Sequence, residues 1–259
     1  MNSRRMPVVF FGHGSPMNTL ATNRYTLAWQ RLGAALPRPR AILAVSAHWT
    51  TRGVAVTAME RPQTIHDFGG FPQALFDVAY PAPGDPALAA RIAGLLAPMS
   101  VVQDQQWGLD HGTWSVLVHV FPKADVPVVQ LSLDLTKPAP FHLDLGSRLQ
   151  ALRNEGVLII GSGDVVHNLG VMRRTPSGAP YDWAVRFNDH VRDCVLRRDF
   201  APLLDLGGKD AQLSAPTPEH YLPLLYVLGA SDAGDTAEFP VDGIDMASIS
   251  MLTCILGGA

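Results

Sequence analysis

The chain has 259 residues, 47% hydrophobic and 17% charged, with a formal net charge of −3. That length suits one large α/β domain or two small ones, with a core big enough to need no covalent or metal staple. The slightly acidic balance, with no run of more than two Lys or Arg, argues against nucleic acid or an anionic membrane as the main partner.

The N-terminal stretch after Arg4 and Arg5 is apolar only over PVVFF, short of the roughly 7–15 residues of a signal-peptide core. No apolar run approaches the ~18 residues that span a bilayer. Cys194 and Cys254 form no C-x-x-C pair, which predicts two buried free thiols in a reducing compartment. A soluble cytoplasmic protein is therefore expected.

In chain order, short apolar runs bounded by Gly or Pro predict strands at Val8–Phe11, Ala41–Ser46, Val54–Ala58, Val126–Leu133, Val157–Gly161 and Ser248–Cys254. Helical patterns lie between them, at Leu20–Leu36, Phe71–Val78, Pro86–Leu96, Thr113–Val120, Phe141–Arg153, Tyr181–Arg198 and Pro218–Leu228. Arg173–Pro180 and Ala230–Pro240 read as surface loops. The interleaving predicts an α/β fold: a single domain over residues 1–259, with a central, mainly parallel (mixed) sheet flanked by helices on both faces.

Apolar strands run into histidines. PVVFFG leads to His13, RAILAVSA to His48 and GVLIIGSGDVV to His167. The carboxyl ends of strands in an open α/β sheet line a shared crevice, where such folds place their chemistry. His13 has a glycine on either side, which lets the backbone turn sharply beside a ligand. His48 ends the next strand in the same way. His167 follows a Gly-rich turn that lacks the Lys and spacing of a phosphate loop, and Asp164 in that turn is a candidate to orient an imidazole. His220 follows Thr217, read as an N-cap, and Pro218, read as the first helical residue. There the helix dipole would favour a neutral ring.

His111 opens another helix after Asp110, and reads as an acid–base group, a ligand or neither. His66 lies in a loop, Ile65–Pro72, with two glycines and two phenylalanines; it reads either as a cover for a flat substrate or as a mobile surface loop. His119, His142 and His190 fall inside helical patterns and read as structural or solvent-facing. Short metal motifs such as H-E-x-x-H are absent, so any ligands come from distant segments. A His-rich set suits Zn²⁺, Fe²⁺, Cu²⁺ or Ni²⁺.

Six ordered segments carry a family resemblance: Gly12–Met17 (GHGSPM), Ser46–Trp49 (SAHW), Ile65–Pro72 (IHDFGGFP), Asp110–Trp114 (DHGTW), Gly163–Leu169 (GDVVHNL) and Pro216–Leu225 (PTPEHYLPLL). From about Pro7 to the C-terminus the chain resembles the DOPA-dioxygenase type of class III extradiol ring-cleavage dioxygenases. The resemblance implies one divalent metal per chain and a small aromatic diol, opened beside its hydroxyls by O₂. It implies His13, His48 and His220 as metal ligands, and His167 as a fourth ligand or the acid–base group. His111 would be a second acid–base or binding residue. Relatives that cleave protocatechuate use two His and one Glu on iron. Here His220 stands at the third position with Glu219 directly before it, which removes a negative charge and favours zinc on purification, with Fe(II) expected for turnover.

On this reading an imidazole near the metal, His167 first and His111 second, takes up a hydroxyl proton and returns one later. Phe68, Phe71, Trp49 and Tyr221 are candidate walls for a flat ring. Homo-oligomerisation is compatible with the sequence. Two rivals stand beside this reading. One is a zinc hydrolase with Asp164 or Glu219 as general base. The other is a non-enzymatic metal-binding protein with its coordination closed by four histidines.

Overall fold

A computed structural model describes residues 5–173 and 179–257. Its elements in chain order are β1 (Val8–Gly12), α1 (Arg24–Ala35), β2 (Ala41–Thr51), β3 (Val54–Thr57), α2 (Gln73–Phe76), α3 (Pro86–Leu96), β4 (Val101–Asp104), α4 (His111–Val120), β5 (Val128–Asp134), α5 (Ala139–Leu149), β6 (Val157–Gly163), α6 (Asp182–Arg197), α7 (Lys209–Ser214), α8 (Leu222–Ala230), β7 (Ala237–Val241), β8 (Ile244–Asp245), β9 (Ile249–Ser250) and β10 (Thr253–Leu256). Eight strands form one sheet in the order β4-β3-β5-β2-β6-β1-β10-β7, and β8 and β9 form a separate ribbon. The central strands β5, β2, β6 and β1 run parallel, while β10, β7 and the β3–β5 pair add antiparallel neighbours. The expected mixed, mainly parallel α/β sheet is present.

Alternation along the central strands gives the sheet two cores. Val8, Phe10, Leu43, Val45, Val157 and Ile159 face α3, α5, α6 and α8. Val9, Phe11, Ile42, Ala44, Leu158 and Ile160 face α1 and α4, where Trp29 and Trp114 are fully buried. Because both faces are covered, the strands read as continuous apolar runs. The helix α8 is buried almost throughout, as an all-apolar helix must be.

Several boundaries differ from the sequence reading. The first helix begins at Arg24, not Leu20, because Asn23 closes a capping box with Thr26 and residues Pro16–Leu20 form a separate 3-10 turn. The helix expected over Phe71–Val78 contracts to α2, and Phe141–Arg153 splits into α5 and a 3-10 segment, Gln150–Glu155. The strand expected over Ser248–Cys254 is divided into β9 and β10, which belong to different sheets. Ala230–Pro240 is not simply a surface loop, since β7 pairs there with β10. Of Arg173–Pro180, residues 174–178 lie outside the described residues, as does Arg4. Among the described residues, no helix is long and apolar enough to cross a membrane. Cys194 and Cys254 are buried and free.

Candidate metal centre

Three neighbouring parallel strands deliver histidines to one rim. His13 directly follows β1, and its backbone N–H donates to Gly163 O at the end of β6 (3.1 Å). His48 lies within β2, past the point where pairing with β6 ends at Ser46. The register between β2 and β5 shifts between Val45 and Thr50, and an irregularity of this kind re-aims side chains at a strand end. His167 lies four residues beyond β6 and is fixed by its own N–H, which donates to Ser214 O (2.7 Å). His111 is the first residue of α4, whose N-cap Asp110 accepts from Thr113 N–H.

His220 corrects the sequence reading in detail. It precedes α8, which starts at Leu222. Thr217 does not cap the helix, because its hydroxyl donates to Glu219 Oε1 (2.8 Å). The turn is closed instead by Tyr221 and Leu222 N–H groups donating to Pro218 O. Gly163 lets this turn approach β6: a Cβ there would sit 2.1 Å from His220 O.

The five imidazoles converge. Ring centres of His13, His48 and His220 form a triangle with sides of 5.1, 5.4 and 5.0 Å. The Nε2 atoms of His13 and His48 are 3.3 Å apart. Two nitrogens that share one ion at about 2.0–2.1 Å lie at most about 4 Å apart. His111 packs against His48, with ring centres 3.8 Å apart, and His167 stacks on His220 at 3.5 Å and 7°. Among the described residues, mutually close donor sets are His13–His48–His111, His13–Asp164–His220 and His167–Glu219–His220, each with its donor atoms within 4.8 Å of one another.

In four of these rings Nδ1 faces a polar partner. His13 Nδ1 donates to Ser162 Oγ (3.0 Å), whose hydroxyl hydrogen is already committed to Gly112 O (2.5 Å). This assigns His13 as the Nδ1–H tautomer, with a bare Nε2. His111 Nδ1 meets Asp67 Oδ2 at 2.9 Å, His48 Nδ1 meets the same oxygen at 3.5 Å, and His220 Nδ1 meets Glu219 Oε1 at 3.2 Å. Holding the outer nitrogen orients the inner one, as in metal sites generally.

Electrostatics keep four of the rings, His13, His48, His167 and His220, neutral. Burial, and then the neighbouring imidazoles His48 and His220, hold His13 well below the usual histidine range. Burial, reinforced by His111 against the pull of Asp67, lowers His48 to about 3. Burial and then His167 lower His220, and burial lowers His167 to about 4 against the opposing charge of Glu219. It is burial and mutual repulsion, more than a helix dipole, that keep His220 unprotonated. Asp67 is the anionic counterpart: burial pushes its carboxyl up, but the hydrogen bonds and charge of His111 outweigh this and lower it.

A profile described as the catalytic LigB subunit of aromatic ring-opening dioxygenase matches residues 13–256. The chain belongs to this ring-opening dioxygenase family. It is 55% identical, over 99% of its length and 97% of the relative's, to the 4,5-DOPA dioxygenase extradiol of Escherichia coli K12. It is 36% identical, over 88% of each chain, to the enzyme of that name from Beta vulgaris. A crystal structure of an E. coli K12 protein superposes with a TM-score of 0.86 at 49% identity, covering 98% of this chain and all of the other. The fold, the metal-dependent dioxygenase class and the extradiol resemblance read from the six motifs all hold.

In this dioxygenase the five histidines lie on a cavity of about 720 Å³, walled by Phe68, Phe71, Leu169, Met172, Met246 and Ile249. Two expected walls are elsewhere. Trp49 is buried and stacked on Trp107 (5.8 Å, 5°), and Tyr221 is buried with its hydroxyl donating to Leu203 O. Neither lines the cavity. The His66 loop is pinned rather than free: Ile65 O accepts from Trp114 Nε1 (2.9 Å), and His66 Nε2 meets Val78 O (3.0 Å). His119 bonds Asn18 O, His142 is buried against the Tyr226 hydroxyl and His190 is exposed, in keeping with structural or solvent-facing roles.

The sequence reading missed two residues. Ser162 fixes the His13 tautomer. Asp67 binds His111 through both side-chain oxygens, one to Nδ1 and one to the backbone N–H (2.8 Å). Both stand inside or beside segments that already carried the resemblance. What the sequence lacks is the information that two loops 44 residues apart meet.

Proposed function

We propose that this dioxygenase opens a catechol beside its hydroxyls, with His13, His48 and His220 holding one divalent metal and His167 and His111 serving as the acid–base pair. The observation that carries the reading is the compact triangle of neutral rings with its outer nitrogens held and its inner nitrogens turned to an aromatic-walled cavity. The donor set fits such an ion: bare imidazole nitrogens suit Fe(II) and Zn(II) alike. Fe(II) is the metal for turnover and Zn(II) the ion retained on purification. When bound, the ion stabilises the catecholate and mediates electron transfer from ring to dioxygen.

His167 is the acid–base group rather than a fourth ligand. Its ring is parallel to that of His220, and in-plane lone pairs on parallel rings do not converge on one point. A neutral His167 accepts a hydroxyl proton as the diol enters and returns one to the ring-opened product. His111, oriented by Asp67, faces the same cavity from the other side. Phe68 and Phe71 hold the flat ring and exclude water. The names of the relatives make DOPA, cleaved at its 4,5 bond, the first substrate to test.

The experiment is anaerobic loading with Fe(II), followed by DOPA or simple catechols and O₂. The expected result is a yellow semialdehyde with one O₂ consumed per ring. A metal-dependent activity indifferent to O₂, or no product from any catechol, overturns the reading.

A further inference from the structure

Beyond the histidines, the cavity has an apolar wall supplied by two segments. Leu169 and Met172 lie on the loop after β6, and Met246 and Ile249 belong to the β8–β9 ribbon. Backbone hydrogen bonds join the segments. Ser250 N–H donates to Val166 O (2.8 Å), Asn168 N–H to Ser248 O (3.1 Å) and Arg173 N–H to Met246 O (2.8 Å). The wall is therefore one unit. It adjoins the proposed acid–base group, because His167 stands two residues before Leu169 on the same loop.

Met246 stands there against its backbone preference. Met246 and Ala247 have φ of +47° and +66°, a left-handed region that side chains other than Gly and Asn enter at a cost. The turn is held by its surroundings: Met246 N–H donates to Asp245 Oδ1 (2.9 Å), Ser248 N–H to Asp245 O (3.2 Å) and Tyr181 N–H to Ala247 O (3.1 Å). Strain imposed in this way clusters at ligand clamps. Gly or Asn would suit the turn better, yet a long apolar side chain occupies it and lines the cavity. Leu169 is a second anomaly on the same wall, a large apolar side chain 55% exposed. An apolar group of the substrate would cover both.

The rest of the lining agrees. Among the described residues, no Lys, Arg, Asp or Glu lines the cavity. The Arg173 side chain, beside Met172 in sequence, lies over the Tyr181 ring (4.5 Å) and donates to Ala179 O (3.2 Å). A volume of about 720 Å³ is in the range that takes ligands larger than a single ring.

We propose that Leu169, Met172, Met246 and Ile249 form a subsite for the ring substituent of the catechol, and that this subsite selects an uncharged, apolar tail. The inference rests on the ring-opening reading above and deepens it. With the two hydroxyls turned to the histidines, a substituent on the far side of the ring extends away from them along this wall. The two methionines adapt to tails of different shape. A charged tail leaves water there without gaining a partner.

The test uses the full chain and catechols bearing a methyl, ethyl, propyl or butyl group on the far side of the ring. Oxygen uptake by the Fe(II)-loaded protein gives kcat/KM, and calorimetry on the Zn(II)-loaded protein gives Kd without turnover. Both are expected to improve with chain length, by up to about fourfold per methylene buried. The propyl compound is expected to exceed dihydrocaffeate, which carries a carboxylate in place of the terminal methyl, by about tenfold or more. Met246→Gly and Met246→Asn suit the left-handed turn, and Leu169→Ser alters an exposed side chain. Each is expected to lower the butyl-to-methyl ratio by about threefold or more. The series on the unsubstituted protein decides the matter if a variant fails to fold. Affinity that ignores chain length, a preference for dihydrocaffeate over the propyl compound, or ratios unaltered in all three variants overturns the subsite and leaves ring opening standing. Binding that improves with chain length, with no ring opening of any catechol, overturns the proposed function and leaves the subsite.

Discussion

The rings of His167 and His220 lie 3.5 Å apart and 7° from parallel, a stack of two imidazoles in which one protonation opposes the other. On the proposed assignment the two stacked rings have different roles. His220 joins the compact triangle with His13 and His48, whereas His167 faces the cavity from a parallel plane. Substituting His167 by Gln is expected to lower ring opening by about 10²–10⁴-fold while one metal per chain remains. Substituting His220 by Gln is expected to lose the metal itself. Oxygen uptake and elemental analysis on the same preparations separate the two roles, and loss of metal from the His167 variant makes that residue a ligand.

Asp67 holds two site histidines at once. One oxygen accepts from the His111 backbone N–H and the other meets His111 Nδ1 at 2.9 Å and His48 Nδ1 at 3.5 Å. Asp67→Asn preserves shape but keeps only one oxygen acceptor, so its amide N–H₂ faces either the His111 backbone N–H or the ring nitrogens and one of these contacts is lost. Outer-shell losses of this kind cost about 10–100-fold. A fall of that size in kcat/KM is expected, with the fold intact by circular dichroism. Unchanged kinetics would reduce Asp67 to an anchor of the Ile65–Pro72 loop.

How far the site was legible follows from where its signals lie. His13, His48 and His167 end apolar runs, and a buried parallel strand announces its carboxyl end in sequence. The helix start at Leu222 was not legible, because Thr217 and Pro218 have the chemistry of a cap and a first turn and are used in a tight turn instead. β4 is an edge strand with Val102 60% exposed, so it lacks the apolar run by which strands are recognised. β7 carries Pro240, which argues against a strand except at an edge, and an edge is where it lies. Contacts such as Asp67 with His111, or Ser162 with His13, depend on loops meeting across the rim, and no local pattern encodes that.

His142 supplies a pH dependence separate from catalysis. It is fully buried in α5, its Nδ1 meets the Tyr226 hydroxyl at 3.1 Å, and burial lowers it to about 4 from an ordinary 6.5. The unfolded chain therefore takes up a proton between those values that the folded chain refuses. The resulting stability is present in full above about pH 6.5 and is lost as pH falls toward 4. At 1.36 kcal/mol per unit its size is at most about 3 kcal/mol. Thermal midpoints measured from pH 7.5 to 4.5 are expected to fall less steeply in His142→Gln than in the unsubstituted protein. Parallel slopes would show that other groups govern acid unfolding.

Gly163 tests whether the approach of the His220 turn to β6 builds the site. A Cβ at this position meets His220 O at 2.1 Å and its carbonyl carbon at 3.0 Å, both backbone atoms with no freedom to swing aside. Gly163→Ala must therefore push away the turn that carries His220 and that accepts the N–H of Asp164. Overpacking of this kind costs about 1–3 kcal/mol, and here the displaced atoms carry a proposed ligand. Lower thermal stability and a loss of metal stoichiometry are expected together. Gly69 lines the same cavity but has nothing within 4 Å of its would-be Cβ, so Gly69→Ala is expected to stay within about 0.5 kcal/mol and to keep its metal. A Gly163→Ala protein that binds metal as tightly as the Gly69→Ala protein would show that the His220 turn has room to move without disturbing the site.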